Sequence, residues 1–219
     1  MAQARGLLFG GMDIPPELED EFNHWYDTEH TPSRVGAVPG FRYGRRWRAL
    51  EGAPKYAAVY ELDSVAVLQS PEYLAVVAQD RDQPSHAYAR IHPRWQNVGL
   101  AVYEEITLEP PDYRPPVEAK VLLATMLVPK PEHEEEFNAW YDTEHMPALL
   151  SVPGISTARR FRAVSGEPKY LALYDVAEHD VLRTPEYRKA RASPWATRIR
   201  SRLVSRVRNV YERIFMASA

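Results

Sequence analysis

Glu21-Phe-Asn-His-Trp-Tyr-Asp-Thr-Glu-His30 returns as Glu136-Phe-Asn-Ala-Trp-Tyr-Asp-Thr-Glu-His145, 115 residues later and identical at nine of ten positions. A period this long marks a duplicated structural unit. Val38-Pro-Gly40 matches Val152-Pro-Gly154, Pro54-Lys-Tyr56 matches Pro168-Lys-Tyr170, and Pro71-Glu-Tyr73 matches Pro185-Glu-Tyr187, all offset by 114. Val102-Tyr-Glu-Glu-Ile106 aligns with Val210-Tyr-Glu-Arg-Ile214 at an offset of 108, so the first copy carries about six extra residues between Ala78 and Trp95. Between the copies lies Glu109-Pro-Pro-Asp-Tyr-Arg-Pro-Pro116, where four prolines in eight residues favour a stiff, extended linker. The expected organisation is a first repeat over 1–108, a linker over 109–117 and a second repeat over 118–219.

Each repeat reads as strand, helix, strand, strand, helix, strand. Gly6 to Ile14 and Lys120 to Val128 are apolar runs suited to buried strands. Glu17 to His30 and Glu132 to His145 follow prolines, carry acidic residues early and repeat their apolar residues at helical spacing. Glycine turns then separate Phe41 to Leu50 from Lys55 to Leu62, and Ile155 to Val164 from Lys169 to Val176. Pro71 to Gln79 and Pro185 to Arg200 read as second helices, with Gln96 to Leu108 and Leu203 to Phe215 as closing strands. Such a unit puts both helices on one face of its sheet and leaves the other bare. Two copies in one chain can join those bare faces in a closed barrel without edge strands.

Composition narrows the function classes. The chain has 219 residues, 45% hydrophobic and 26% charged, with a net charge of −3, so a phosphate-tracking surface is not expected and nucleic acid is not an expected partner. The absence of cysteine excludes disulfides, thiolate metal sites, iron–sulfur clusters and cysteine nucleophiles, and fits a reducing compartment. The sequence has no signal-type start and no apolar run long enough for a transmembrane helix, which predicts a cytoplasmic protein without a membrane partner. Phosphate-loop, dinucleotide and serine-hydrolase signatures are missing.

The Phe-Asn-x-Trp-Tyr-x-x-Glu-His pattern at Phe22 to His30 and Phe137 to His145, each followed by Val-Pro-Gly, resembles the dimeric α+β barrel superfamily, in particular its EthD-like and REDY-like bacterial proteins. The resemblance covers both halves and implies an α+β protein of two ferredoxin-like βαββαβ repeats packed sheet to sheet as a barrel, one chain doing what smaller relatives do as dimers. It further implies ligand pockets between sheet and helices. It does not specify a reaction, because the superfamily includes monooxygenases, haem-degrading enzymes, isomerases and cyclases.

At about 100° per residue, Phe22, Trp25, Tyr26, Glu29 and His30 share one helical face, as do Phe137, Trp140, Tyr141, Glu144 and His145. His30 and His145 are the candidate general bases or acids, with Glu29, Glu144, Asp27 or Asp142 orienting the rings and Tyr26 and Tyr141 as donors to a developing oxyanion. Burial would lower an imidazole pKa, whereas pairing with glutamate would favour the charged ring. Trp25, Trp140, Phe22 and Phe137 would wall a flat substrate. Arg45 and Arg159 would bind a carboxylate or phenolate, although strand arginines beside many acids more often lie paired at a surface. A three-ligand metal site is not expected, because Ala139 replaces His24. His86, Tyr88 and His92 lie in the extra segment, where a lid or a plain surface loop would account for them equally.

The expected function is a cofactor-independent enzyme of isomerase, cyclase or carbon–carbon lyase type, acting by proton transfer on a small hydrophobic or aromatic oxygenated molecule. The alternatives are a cofactor-free monooxygenase of phenols, a haem-binding protein with a helix histidine as iron ligand, and a non-catalytic small-molecule binding protein. Helix capping and core packing alone would also account for the motif. Unequal sites are expected from the divergence at His24/Ala139 and in the extra segment, and a homodimer is an open option.

Overall fold

The computed structural model describes residues 4–107 and 112–219, so the linker residues 109–111 lie outside the described residues. In the first repeat, β1 (Gly6–Asp13), α1 (Glu19–Trp25), β2 (Phe41–Glu51), β3 (Tyr56–Leu62), α2 (Pro71–Asp82), α3 (His86–Ile91) and β4 (Gln96–Glu105) follow one another. The second contains β5 (Val121–Pro129), α4 (Glu134–Trp140), α5 (Met146–Leu150), β6 (Ile155–Ser165), β7 (Tyr170–Val176), α6 (Pro185–Ala190), α7 (Pro194–Arg200) and β8 (Leu203–Ser218). The strands close into one barrel in the order β1-β3-β2-β8-β5-β7-β6-β4. Two antiparallel seams join the repeats. The β2–β8 seam runs from Tyr43 opposite Ser218 to Glu51 opposite Val210, and the shorter β4–β6 seam pairs residues 102–105 with 161–165.

Alternation along each strand separates two kinds of core. Leu7, Phe9, Trp47, Val59, Tyr103 and their second-repeat counterparts point into the barrel. The opposite faces meet the helices: Leu8, Met12, Ala58 and Tyr60 pack with Phe22 and Trp25 in one repeat, and Leu123, Leu127, Ala172 and Tyr174 pack with Phe137 and Trp140 in the other. β1 and β5 are covered on both sides, which explains why they read as continuous apolar runs. Burying each large aromatic contributes about 1.5–3 kcal/mol. Val-Pro-Gly fixes the entry to β2 and β6, because Gly40 and Gly154 adopt φ of +91° and +92°. A Cβ there would also come within 2.5 Å and 2.7 Å of Val67 and Val181 Cγ2 atoms.

Three local expectations need correction. The motif helices are not uniform: each begins with a 3-10 turn and passes into a π turn, Tyr26–His30 or Tyr141–His145, marked by Thr31 N donating to Tyr26 O at 2.9 Å. Pro185 to Arg200 is two helices, because Pro194 favours extended backbone at Ser193 (φ −136°, ψ 159°) and starts α7 afresh. The extra segment of the first repeat is no bare loop, since α2 runs on to Asp82 and α3 is capped by Ser85 accepting from Tyr88 N at 3.2 Å. None of the helices among the described residues is long and apolar enough to cross a membrane.

Candidate functional site

The π turn decides where the motif side chains go. A π turn closes on i→i+5 bonds and advances each residue by less than about 100°. His30 therefore rotates toward the middle of the buried face and Glu29 toward its edge. Glu29 is exposed, contrary to the expected pairing with His30. Its counterpart Glu144 is half-buried and accepts from Trp140 Nε1 at 3.0 Å and Ser193 Oγ at 2.5 Å, tying α4 to α7 instead of orienting His145. Asp27 and Asp142 do not orient the rings either. They accept from Arg46 Nη1 and Arg160 Nη1, both at 2.6 Å, because these buried arginines point out of the barrel beneath α1 and α4.

His30 opens on a cavity of about 350 Å³ between sheet and helices, lined by Tyr26, Arg34, Tyr60, Tyr73, Tyr88, His92 and Trp95 and floored by Leu8, Gly10 and Met12. Trp25 and Phe22 are buried behind this wall rather than in it. Trp25 packs tilted against the His30 ring at 4.7 Å and against Tyr88 at 5.4 Å, and Phe22 packs against Tyr26 at 5.3 Å. Both expected substrate contacts therefore act through neighbours. The extra segment forms one side of the cavity, with His92 stacked on Tyr88 at 4.6 Å, and Arg34 Nη2 on Asp80 Oδ2 at 2.6 Å holds α2 against the end of the motif turn.

The electrostatics favour a neutral imidazole beside an anion. His30 Nδ1 is buried without a hydrogen-bond partner. Burial pushes the His30 pKa well below the usual imidazole range, and the charges of Arg34, Arg46 and His92 push it further. Burial likewise raises the hydroxyl pKa of Tyr26 and Tyr60, which face each other, with Thr31 Oγ1 3.5 Å from Tyr60 Oη. Both phenols remain protonated donors at neutral pH. Tyr60, Arg34, Tyr73 and Trp95 were not among the expected site residues. The repeated Pro-Glu-Tyr pointed to Tyr73, and Tyr60 shares its strand face with the core Tyr56.

The second repeat is built differently around His145. Its cleft holds only about 30 Å³, with Trp140, Tyr141, Tyr174, Arg191, Arg200 and Arg206 among its walls. Trp140 stacks face to face on His145 at 4.3 Å. Burial lowers the His145 pKa to about 3, helped by Arg200 and Arg191. Thr125 stands where the first repeat has Gly10, and Arg206 and Arg208 stand where it has Val98 and Leu100, so bulk and charge replace the apolar void. Neither a flat substrate nor a macrocycle has room beside His145. Phe137 lies in the core against Tyr141 at 5.1 Å.

Arg45 and Arg159 point into the barrel, not toward either histidine, and are buried rather than at a surface. Arg45 donates to Asp175 at 2.6 Å and Glu61 at 3.0 Å, and Arg159 donates twice to Glu61 at 2.7 and 2.9 Å. Burial would raise both carboxyl pKa values, but the adjacent guanidiniums outweigh it and hold them below the ordinary range. This network spans both repeats. Arg159 and Asp142 also border a further cavity of about 330 Å³ beside Tyr113 and Met146.

The chain matches no protein-family model and no curated sequence. Its fold is shared with solved structures. A proposed monooxygenase from Lactobacillus acidophilus is 12% identical, with 99% of this chain covering 97% of that one at a TM-score of 0.64. An anthrone oxidase-like protein is 12% identical over 99% of this chain and 94% of its own, at 0.66. A chlorite dismutase variant from Candidatus Nitrospira defluvii is 8% identical over 97% and 93%, at 0.58. At these identities the likeness establishes the ferredoxin-like α+β barrel alone.

Proposed function

We propose that this chain is a cofactor-independent enzyme that moves a proton on a small, flat, oxygenated molecule held in the first repeat's cavity. The observation that carries this reading is the half-buried His30 ring, whose buried Nδ1 has no partner and whose pKa is lowered by desolvation, in an aromatic-walled cavity of about 350 Å³. A substrate O–H or activated C–H gives its proton to the imidazole, leaving an oxyanion. The positive charges that oppose a proton on His30 in the empty site stabilise that anion, and its presence in turn stabilises the imidazolium. Tyr26 or Tyr60 donates to the oxygen. Returning the proton to a different carbon is isomerisation; returning it to a carbanion released by carbon–carbon cleavage is a lyase reaction.

A second reading, cofactor-free oxygenation, is favoured by the fold shared with the anthrone oxidase-like protein and the proposed monooxygenase. Here the same deprotonation yields a carbanion that transfers electrons to dioxygen. Membership of the EthD-like and REDY-like proteins is part of this proposal, supported by the repeated motif, as is the division into residues 1–108, 109–117 and 118–219. A homodimer is also proposed, supported by the exposed Val98, Leu100, Val204 and Val207 on the projecting ends of β4 and β8.

The test uses 2-naphthol and anthrone as probes, following absorbance of the bound anion and oxygen uptake. Wild type is expected to shift ionisation of the bound probe downward by about one pH unit or more, corresponding to at least 1.4 kcal/mol. His30→Gln should abolish the shift and His145→Gln should retain it. Oxygen uptake with anthrone selects the second reading. An unshifted probe, or a shift that His30→Gln leaves intact, overturns both.

A further inference from the structure

The second repeat replaces apolar or neutral residues of the first with arginine at four aligned positions: Leu74 becomes Arg188, Val77 becomes Arg191, His92 becomes Arg200 and Val98 becomes Arg206. The fold brings these together. Arg188, Arg191 and Arg200 line an open bowl of about 530 Å³ formed where α6 breaks before α7. Arg191 and Arg200 also line the narrow cleft behind it, where Arg206 and His145 lie.

Charges of one sign are ordinarily distributed among opposite partners, yet these four form no ion pair among the described residues. Arg188 Nη2 donates to the Arg183 carbonyl at 2.7 Å, Arg200 donates to the Arg191 carbonyl, and Arg191 lies over the Tyr187 ring at 5.0 Å. Among the described residues no carboxylate lies within 4.0 Å of any guanidinium nitrogen of Arg191, Arg200 or Arg206. The nearby acids are engaged elsewhere: Glu144 with Trp140 and Ser193, Glu136 with Arg198 and Arg202, and Glu51 with Arg208 and His179. Burial and mutual repulsion depress the Arg200 and Arg206 pKa values, the signature of uncompensated positive charge.

We propose that this bowl is an anion site that takes a phosphate group, free or carried on an organic molecule, between Arg191 and Arg200. Two guanidiniums present paired N–H donors to tetrahedral oxygens, and a dianion offsets more of the cluster's charge than a carboxylate does. Ser193 and Thr197 also line the bowl, but their hydroxyl protons are already given to Glu144 and to the Ser193 carbonyl, so the arginines carry the recognition. The site is separate from the His30 cavity and does not depend on the function proposed for it.

Calorimetric titration of the full chain with inorganic phosphate, and separately with phenyl phosphate, at constant ionic strength tests this. One saturable site per chain is expected, tenfold or more weaker in Arg191→Ala/Arg200→Ala and unchanged in His30→Gln. Tighter binding of phenyl phosphate identifies a phosphate monoester as the ligand; equal binding identifies free phosphate. Thermal unfolding guards against misfolding: removing repelling charges should leave the ligand-free Tm of the double variant at or above wild type, and phosphate should raise only the wild-type Tm. Absence of saturable binding, or phosphate stabilisation that persists in a folded double variant, overturns the proposal.

Discussion

The Arg159 guanidinium carbon lies 3.3 Å from the centre of the Tyr113 ring, and the Tyr113 hydroxyl donates to Asp175 at 2.7 Å. A linker side chain thereby seals the ionic network inside the barrel and couples the two repeats. Glu61 is the hinge of that network, accepting from both Arg45 and Arg159. Glu61→Gln leaves two buried cations short of a charge and should cost about 3–5 kcal/mol in urea unfolding. Tyr113→Phe removes one hydrogen bond to a charged group and should cost about 1.5–3 kcal/mol. A cost below about 1 kcal/mol for Glu61→Gln would show the network to be energetically slack.

The void beside His30 depends on a missing side chain in β1. A Cβ at Gly10 would meet only Leu100 Cδ1 and Met12 Cε, both at 3.6 Å, which is ordinary contact. Gly10→Thr, copying Thr125 of the second repeat, should therefore fold with a stability change within about 1 kcal/mol. It should nevertheless fill part of the cavity and weaken 2-naphthol binding at least tenfold. Equal binding by the variant would place the ligand elsewhere.

Arg34 and Asp80 join the motif turn to α2, with side chains 7% and 27% exposed. Asp80→Asn removes the charge but keeps a hydrogen-bonding group. The expected result is faster amide exchange across residues 84–94 and a raised KM, with a global loss of no more than about 1–2 kcal/mol. Unchanged exchange there would mean that packing of Tyr88 and His92 alone holds the segment.

The duplication, the strand order within each repeat and the helix-facing aromatics were legible because side-chain period and repeat offset are one-dimensional signals. The fate of Glu29 was not, since it depends on the π turn Tyr26–His30, which a uniform helical spacing does not anticipate. Arg45 and Arg46 illustrate the other limit. Alternation puts them on opposite faces, but only barrel closure turns one of those faces into a sealed interior where Glu61 and Asp175 meet Arg45 from other strands, while Arg46 meets Asp27 beneath α1. Similarly, the identical Trp-Tyr-Asp-Thr-Glu-His runs gave no sign that one histidine borders a cavity and the other a filled cleft. That difference lies in Gly10, Thr125, Val98 and Arg206, well away from the motif.

Acid should destabilise the fold through its two motif histidines. Both rings are held neutral in the folded state, at about 3 for His145 and well below the ordinary value for His30, whereas the unfolded chain protonates them near 6.5. The unfolded state therefore binds more protons below that pH, so stability is full above about 6.5 and falls as the pH drops toward the folded values. Each ring contributes at most about 1.4 kcal/mol per pH unit, less where water reaches it. Glu61 and Asp175 are instead held charged in the folded state and lose that contribution only as the pH falls through the carboxylate range, whereas burial raises the Glu105 pKa and acts in the opposite sense to the rings, so the comparison of wild type with a double variant by urea unfolding between about pH 6.5 and 5 isolates the imidazoles. His30→Gln/His145→Gln should flatten the stability profile in that window. A slope equal to that of wild type would mean that both rings take up protons in the folded protein, and the neutral base assigned to the cavity would not exist.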